Sequence, residues 1–321
     1  MVTPPMSTIQ PDPSPVEADC PLCRVGMIPR FWAIEAEETG ETFGVDACPR
    51  CGLGRTRPVP LDLAVYYNPA YYGKRHGITA RACHRRRLGI VRRSAVGRGA
   101  GRSLLDYGCA EGDFLLAARS EGWDGIGIER HKSSFTPDNL TIVAGLEELS
   151  ARKSFDCATF WHVLEHLDDP VGTLAQVRDF LNPDGLVLAA VPNFGSWQAR
   201  FTGASWLHLD LPRHLFHFTP RAITKTFEAA GFRVEDIRFG EFEYDVVGWS
   251  QSLLNRGLGG RNEFFKAMSG RPGRGSTLRQ MAQTIAGVEL SALAVVPALV
   301  ESWLGRGGTL IAAARPSGTC R

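Results

Sequence analysis

Four of the eight cysteines form two C-x-x-C pairs, Cys20 with Cys23 and Cys48 with Cys51, separated by 24 residues and followed by Gly52. A short knuckle aims two thiolates at one point, so two knuckles suit a tetrahedral four-cysteine zinc site. Four thiolates leave no coordination position for a substrate, so a metal held this way is structural. A pair of disulfides is the second chemistry open to the pattern, disfavoured in a reducing compartment. A redox C-x-x-C is the third, and it needs only one pair beside a βαβ unit. Cys83, Cys109, Cys157 and Cys320 show no ligand spacing.

A second constellation is "SLLDYGCAEGDF", Ser103 to Phe114, which runs from an apolar segment through Asp106, Gly108, Ala110 and Gly112 into another apolar run. The turn from a first strand into a first helix is where an open α/β sheet binds its ligand. A dinucleotide loop wants G-x-G-x-x-G, so that amides can approach a pyrophosphate. Here Glu111 and Asp113 lie in the loop and would repel one. Acidic chemistry suits a cationic ligand without phosphate, and S-adenosylmethionine carries an ammonium and a sulfonium. Glu129, about 20 residues further on at the end of the next apolar segment, is placed to accept hydrogen bonds from ribose hydroxyls.

Histidines supply the third. "WLHLDLPRHLFHFTP" concentrates His208, Asp210, Arg213, His214 and His217 among core aromatics. A neutral imidazole near pH 7 can remove an acceptor proton, and His214 is the first candidate, with His162 and Tyr72 behind it. Arg213 can hold a phosphate or carboxylate through two hydrogen bonds, with His217 and Asp210 beside it as further substrate contacts. "HVLEH", His162 to His166, also fits the inverted zinc-protease pattern H-x-x-E-H, which requires both histidines on one helix face. His162 directly follows the apolar run "FDCATFW", and a helix is expected only from Asp168 or Asp169.

These residues need a scaffold. From Gly101 onward short apolar runs alternate with helical segments: "SLLDYG", "DGIGIER", "LTIVAG", "SFDCATFW" and "GLVLAAVPN" read as strands, "DFLLAARSEG" and "DPVGTLAQVRDFL" as helices. That order predicts an α/β fold with a doubly wound parallel sheet covered on both faces, and "FRVEDIRF" and "GTLIAAAR" add edge strands. Between the cysteine pairs, alternating segments around Glu-Glu-Thr-Gly-Glu predict a hairpin, as in a zinc ribbon.

In that order "LLDYGCAEGDF", "GIGIER", "SFDCATFWHVLEHLDDP" and "PRHLFHFTPRAITKTFEAAGF" resemble the class I S-adenosylmethionine-dependent methyltransferases over roughly residues 100 to 240. The chain is also similar to bacterial members that carry an N-terminal zinc ribbon and a tyrosine tract, some of which methylate sugar nucleotides. The resemblance implies a Rossmann-like seven-stranded sheet whose last strand, "GTLIAAAR", is antiparallel. It implies that Asp106, Gly108 and Gly112 line the methionine end of the cofactor, with Ala110 where many members have glycine. Glu129 then meets the ribose, Leu146 and Glu147 the adenine, and Trp161 and His162 end the strand that brings the donor methyl near the acceptor. His214 falls on a histidine of the ribbon-bearing sugar C-methyltransferases, and Arg213 replaces their acid. The implied activity is methyl transfer to an oxygen, nitrogen or carbon nucleophile of a small-molecule or glycosyl acceptor. A non-catalytic nucleic-acid or protein-binding module on the same fold is the alternative.

The remaining organisation is read from composition. The chain has 321 residues, 44% hydrophobic, with a net charge of +2 that selects no partner. Residues 1–17 read as a proline-spaced leader without a signal-peptide pattern, 18–60 as the ribbon, 61–100 as a tyrosine-rich basic linker and 101–321 as the methyltransferase domain, with a helical insertion at about 241–307. Ten lysines and arginines and no acid fall between Leu63 and Leu105. Such a run is either a solvated helix side or a surface for phosphates or nucleic acid. "LSALAVVPALV", Leu290 to Val300, is shorter than a spanning helix, so a cytoplasmic protein is expected. With its flanks it reads as a helix pair broken at Pro297 that packs on the core, on a second copy or on a membrane surface.

Overall fold

The computed structural model describes residues 19–36, 38–67, 79–95, 101–130, 137, 139–149, 154–258, 262–271 and 277–318. The leader, Tyr72 and Cys320 lie outside the described residues. The first three strands, β1 (Ile28–Glu35), β2 (Thr42–Ala47) and β3 (Gly54–Arg57), form an antiparallel meander that separates and follows the cysteine knuckles. Helix α1 (Ala80–Ala95) leads into the larger unit. There β4 (Ser103–Tyr107), α2 (Asp113–Ser120), β5 (Asp124–Ile128), β6 (Thr141–Val143), β7 (Phe155–Trp161), α3 (Pro170–Arg178) and β8 (Leu181–Pro192) alternate as the sequence leads one to expect.

After β8 come α4 (Trp197–Thr202), the two-residue strand β9 (Phe216–His217), α5 (Pro220–Ala229) and β10 (Phe232–Phe239). Three helices, α6 (Phe242–Leu258), α7 (Glu263–Met268) and α8 (Thr277–Trp303), precede the final strand β11 (Thr309–Pro316). The seven-stranded sheet has the order β10-β11-β8-β7-β4-β5-β6. Strands β4 to β8 pair in parallel, and β11 is antiparallel to both neighbours. This is the Rossmann-like doubly wound sheet with a reversed last strand.

Both faces are covered, which is why the strands read as apolar runs rather than alternating ones. Leu105, Phe160 and Val187 pack with Leu174 and Val177 of α3 and with Ile223 and Phe227 of α5. Leu104, Cys157 and Leu188 pack with Val91 of α1 and with Phe114 and Leu115 of α2. In "DGIGI" the isoleucines enter the first layer, whereas the glycines lie under α2. A Cβ on Gly127 would stand 2.4 Å from Cys109 Sγ. The caps follow local chemistry: Asp169 accepts from Gly172 N at 2.8 Å and Thr219 from Ala222 N at 3.2 Å, each followed by a proline at the start of its helix.

The insertion corrects one expectation. Pro297 does not divide it into two helices; α8 is continuous over 27 residues. A proline removes a single intrahelical hydrogen bond, and packing of Ala294 and Ala298 against Val246 and Trp249 of α6 holds both sides of it in place. By length and composition Leu278–Trp303 is long and apolar enough to cross a membrane.

Candidate active site and cysteine cluster

At the carboxyl end of β4 the chain turns sharply into α2. Gly108 has φ +74° and Gly112 φ +83°, and a Cβ on either would come within 2.5 Å of Val163 or Leu140. Ala110, at φ +50°, takes the left-handed region that a glycine occupies without strain. The turn is tied to β5 through Gly108 N and Cys109 N, both donating to the Ile128 carbonyl, at 2.8 and 3.1 Å. Ala110 N donates to Glu129 Oε2 at 3.0 Å. Asp106 is buried beneath the turn, where its Oδ1 accepts from Thr159 Oγ1 at 2.7 Å, and burial pushes its carboxyl up to about 7. Beyond β6, Leu146 begins a single helical turn to Glu148 and is buried, and the Glu147 carboxylate folds back over Gly145. The Trp161 indole lies between the Phe114 ring, 5.5 Å away, and the Arg87 guanidinium, 4.8 Å from its centroid.

His162 turns out of β7 with φ +58° and stacks on Tyr244 of α6 with centroids 4.1 Å apart. Its Nε2 lies 2.8 Å from Glu241 Oε2 and its Nδ1 3.5 Å from Glu165 Oε1. Arg87 donates to both oxygens of Glu241, at 2.7 and 3.3 Å. Burial works against charge on all three groups. Even so, Arg87 and His162 beside Glu241 hold its carboxyl well below the usual range, and the two carboxylates raise the His162 imidazole above its ordinary value. The basic run is therefore not simply a solvated face. Arg87 is buried, and Arg86 pairs with Glu243 at 2.6 Å, because α1 packs where the insertion begins.

Glu165 continues the chain of charges. It is buried, neither oxygen has an ordinary hydrogen bond, and one of its oxygens and ring nitrogens of His166 and His214 lie within 4.8 Å of one another, close enough to share a proton or a cation. Burial opposes ionisation of Glu165, but His162, His166 and His214 outweigh it and hold the group at about 2. His166 Nδ1 lies 2.9 Å from the Tyr67 hydroxyl and 3.0 Å from the Arg213 carbonyl. The protease pattern does not form. Only Leu164–His166 make a helical turn, so His162 and His166 are not one turn apart on a helix face.

His214 Nδ1 donates to the His208 carbonyl at 2.9 Å, which leaves Nε2 as the proton-accepting nitrogen of the neutral ring. Its neighbours in the tract are turned toward the ribbon. Arg213 forks onto Asp210, with Nε to Oδ2 at 3.0 Å, and reaches Glu38 Oε1 at 2.6 Å. The Asp210 carboxyl, half-buried but beside Arg213, lies far below its ordinary value. His217 Nε2 lies 3.0 Å from Thr56 Oγ1, and burial lowers its imidazole to about 3. Strand β9 also pairs with β3, Gly54 opposite His217, so the tract is the fourth strand of the ribbon sheet. The structure thus joins His162 to His214 through Glu165. It places Arg213, Asp210 and His217 at the ribbon seam.

The four knuckle cysteines meet in one cluster, all sulfurs within 4.8 Å, with Cys20 Sγ 3.8 Å from Cys51 Sγ. A tetrahedron with bonds of about 2.3 Å has edges of about 3.8 Å. The donor set and spacing fit a zinc ion, and no disulfide joins these cysteines. The cofactor loop fits its ligand in the same sense: carboxylates at Asp106 and Glu129 flank a backbone turn of small residues.

This sheet order, with a glycine turn after its first strand and an acid after its second, defines a Rossmann-like methyltransferase. The methyltransferase-domain family model matches residues 79–237. Two ubiquinone biosynthesis O-methyltransferases from strains of Cereibacter sphaeroides are 29% and 30% identical over 177 and 180 residues, 49% of this chain and 70% of each relative. A crystal structure of an S-adenosylmethionine-dependent methyltransferase from Archaeoglobus fulgidus is similar at 19% identity and a TM-score of 0.46, covering 79% of this chain and all of that one. The chain belongs to the class I S-adenosylmethionine-dependent methyltransferases and is an enzyme of that family.

Proposed function

We propose that the protein transfers a methyl group to a hydroxyl of a small-molecule acceptor, with a structural zinc in its ribbon. The observation that carries this reading is the orientation of His214: its Nδ1 is committed to a carbonyl, its Nε2 lies 3.9 Å from Asp210 Oδ2, and the ring belongs to a cluster with Glu165 and His166. When bound, S-adenosylmethionine supplies an electrophilic methyl on a sulfonium. The chain's own residues do the rest. Glu129 holds the ribose hydroxyls, the turn at Gly108 to Gly112 lines the methionine end, and Leu146 and Glu147 border the adenine. His214 Nε2 accepts the acceptor proton, and Glu165 balances the imidazolium that forms. His162, held between two carboxylates, is better suited to electrostatic positioning than to accepting a proton.

An oxygen nucleophile is favoured because the similar curated proteins are O-methyltransferases by name. Cys20, Cys23, Cys48 and Cys51 would hold the zinc and brace the seam at Thr56, Arg213 and His217. The test is a screen of phenolic, sugar and sugar-nucleotide hydroxyl compounds with methyl-labelled cofactor, followed by mass-spectrometric localisation of the label. Label on oxygen supports the reading. Label on carbon or nitrogen refutes it.

A further inference from the structure

Helix α8 turns small and polar residues inward and large apolar ones outward. Its inward face, against α6 and α7, carries Gln283, Gly287, Ser291, Ala294, Ala298 and Glu301. Ser291 Oγ bonds Ser250 Oγ at 3.0 Å, and Glu301 Oε1 accepts from Trp249 Nε1 at 3.0 Å and from Gln198 Nε2 at 2.9 Å. Its outward face carries the large apolar side chains: Leu278 is 79% exposed, Ile285 61%, Val296 66% and Trp303 84%. A helix that contributes only to its own fold turns the opposite way. At about 1.5 Å per residue this stripe runs for about 40 Å, far beyond the scattered apolar residues of an ordinary surface.

The end of the stripe shows what covers it. Trp197 and Phe201 of α4 are exposed beside the end of α8, where Trp197 N bonds the Arg306 carbonyl at 3.2 Å. Arg200, Arg256 and Arg306 are exposed among these rings, and Arg256 sits over Phe201 at 5.1 Å. No acidic residue occurs in 193–209, 246–258 or 302–308. Pairing with a second copy would bury the stripe but offer these arginines no carboxylate, since Glu289 is the acid on the outward face and lies near its middle. Anionic lipid headgroups meet arginines and interfacial tryptophans at the rim of an apolar face.

We propose that α8 and the exposed edge of α4 form a docking face for an anionic bilayer surface. The helix lies in the plane of the interface and does not span it, because its polar face is already bonded to α4 and α6. The proposal is independent of the acceptor assignment. Helix α6, against which α8 packs, also carries Tyr244, which stacks on His162.

The test is sedimentation of the full chain with vesicles of phosphatidylcholine alone or mixed with phosphatidylglycerol. Binding to the mixed vesicles should be at least tenfold stronger and should weaken in 0.5 M salt. Ile285→Asp with Val296→Asp should abolish it, and Arg200→Glu with Arg306→Glu should remove the preference for phosphatidylglycerol. Cofactor-induced thermal stabilisation should be unchanged in both variants, which separates loss of docking from loss of the active site. If the aspartate pair fails to fold, the arginine pair and the salt series still decide. Absence of binding to the mixed vesicles overturns the proposal. A dimer by light scattering that the aspartate pair dissociates, with no vesicle binding, assigns the face to a second copy.

Discussion

Glu241 Oε2 lies 2.8 Å from His162 Nε2, a bond that ties the end of β7 to the residue that opens the helical insertion. Arg87 approaches the same carboxylate from α1, so three segments distant in sequence share one buried charge cluster. Removing one partner of such a cluster leaves an uncompensated buried charge. Glu241→Ala should lower unfolding free energy by about 3–5 kcal/mol in a urea titration at pH 7. The pH dependence has two signs. The raised His162 value stabilises the fold below the ordinary imidazole range and is lost as pH rises through it. The depressed Glu241 value stabilises above the ordinary carboxylate range and is lost as pH falls. In the variant the Glu241 contribution should vanish and the His162 contribution should shrink to what Glu165 still provides.

Glu301 gives a dependence of the opposite kind to Glu241. Fully buried, its carboxyl is pushed by burial from 4.5 to about 7. The folded protein then holds a proton that the unfolded chain has lost, so stability falls as pH rises from about 4.5 to about 7 and is flat beyond. The effect is on the order of 3 kcal/mol. Glu301→Gln keeps an acceptor for Gln198 and Trp249 without the charge. Its melting temperature should change less between pH 5 and pH 8 than that of the wild type, as read by calorimetry.

The ribbon packs against the histidine tract. Thr219 Oγ1 donates to the Cys51 carbonyl at 2.6 Å, and β9 completes the ribbon sheet. Metal analysis should give one zinc per chain. Cys48→Ser should lower it and should reduce methyl transfer more than cofactor affinity, because the loosened strand carries His217 and adjoins His214. Equal loss of both would show that the ribbon supports the whole sheet.

The glycine turn makes a prediction that does not need an acceptor. S-adenosylmethionine and its demethylated product should each raise the melting temperature by mass action. Glu129→Ala should weaken both. Gly108→Ala, at φ +74° and facing Val163, should abolish the shift. Stabilisation by NADH instead would contradict the cofactor assignment.

What the sequence makes legible is what short segments decide. Parallel strands buried on both faces appear as apolar runs, Asp169 marks the start of its helix, and the cysteine spacing brings four sulfurs together. Glu241 and Arg87 were not legible, because their pairing spans 154 residues and depends on α1 crossing the mouth of the insertion. Glu165 stood inside "HVLEH", where the histidine spacing drew attention to a metal motif and away from the carboxylate. The roles expected of Arg213 and His217 rested on their type, and the structure sets both against the ribbon. A proline at 297 suggested a break, yet packing against α6 carries the helix through it.

The account turns on His214 as the base of methyl transfer, and the most direct measurement is turnover of His214→Ala with an acceptor found by the hydroxyl screen, alongside its affinity for the demethylated cofactor. The arrangement predicts nearly unchanged cofactor affinity and turnover lowered by about 10² to 10⁴. Full turnover in the variant would contradict it.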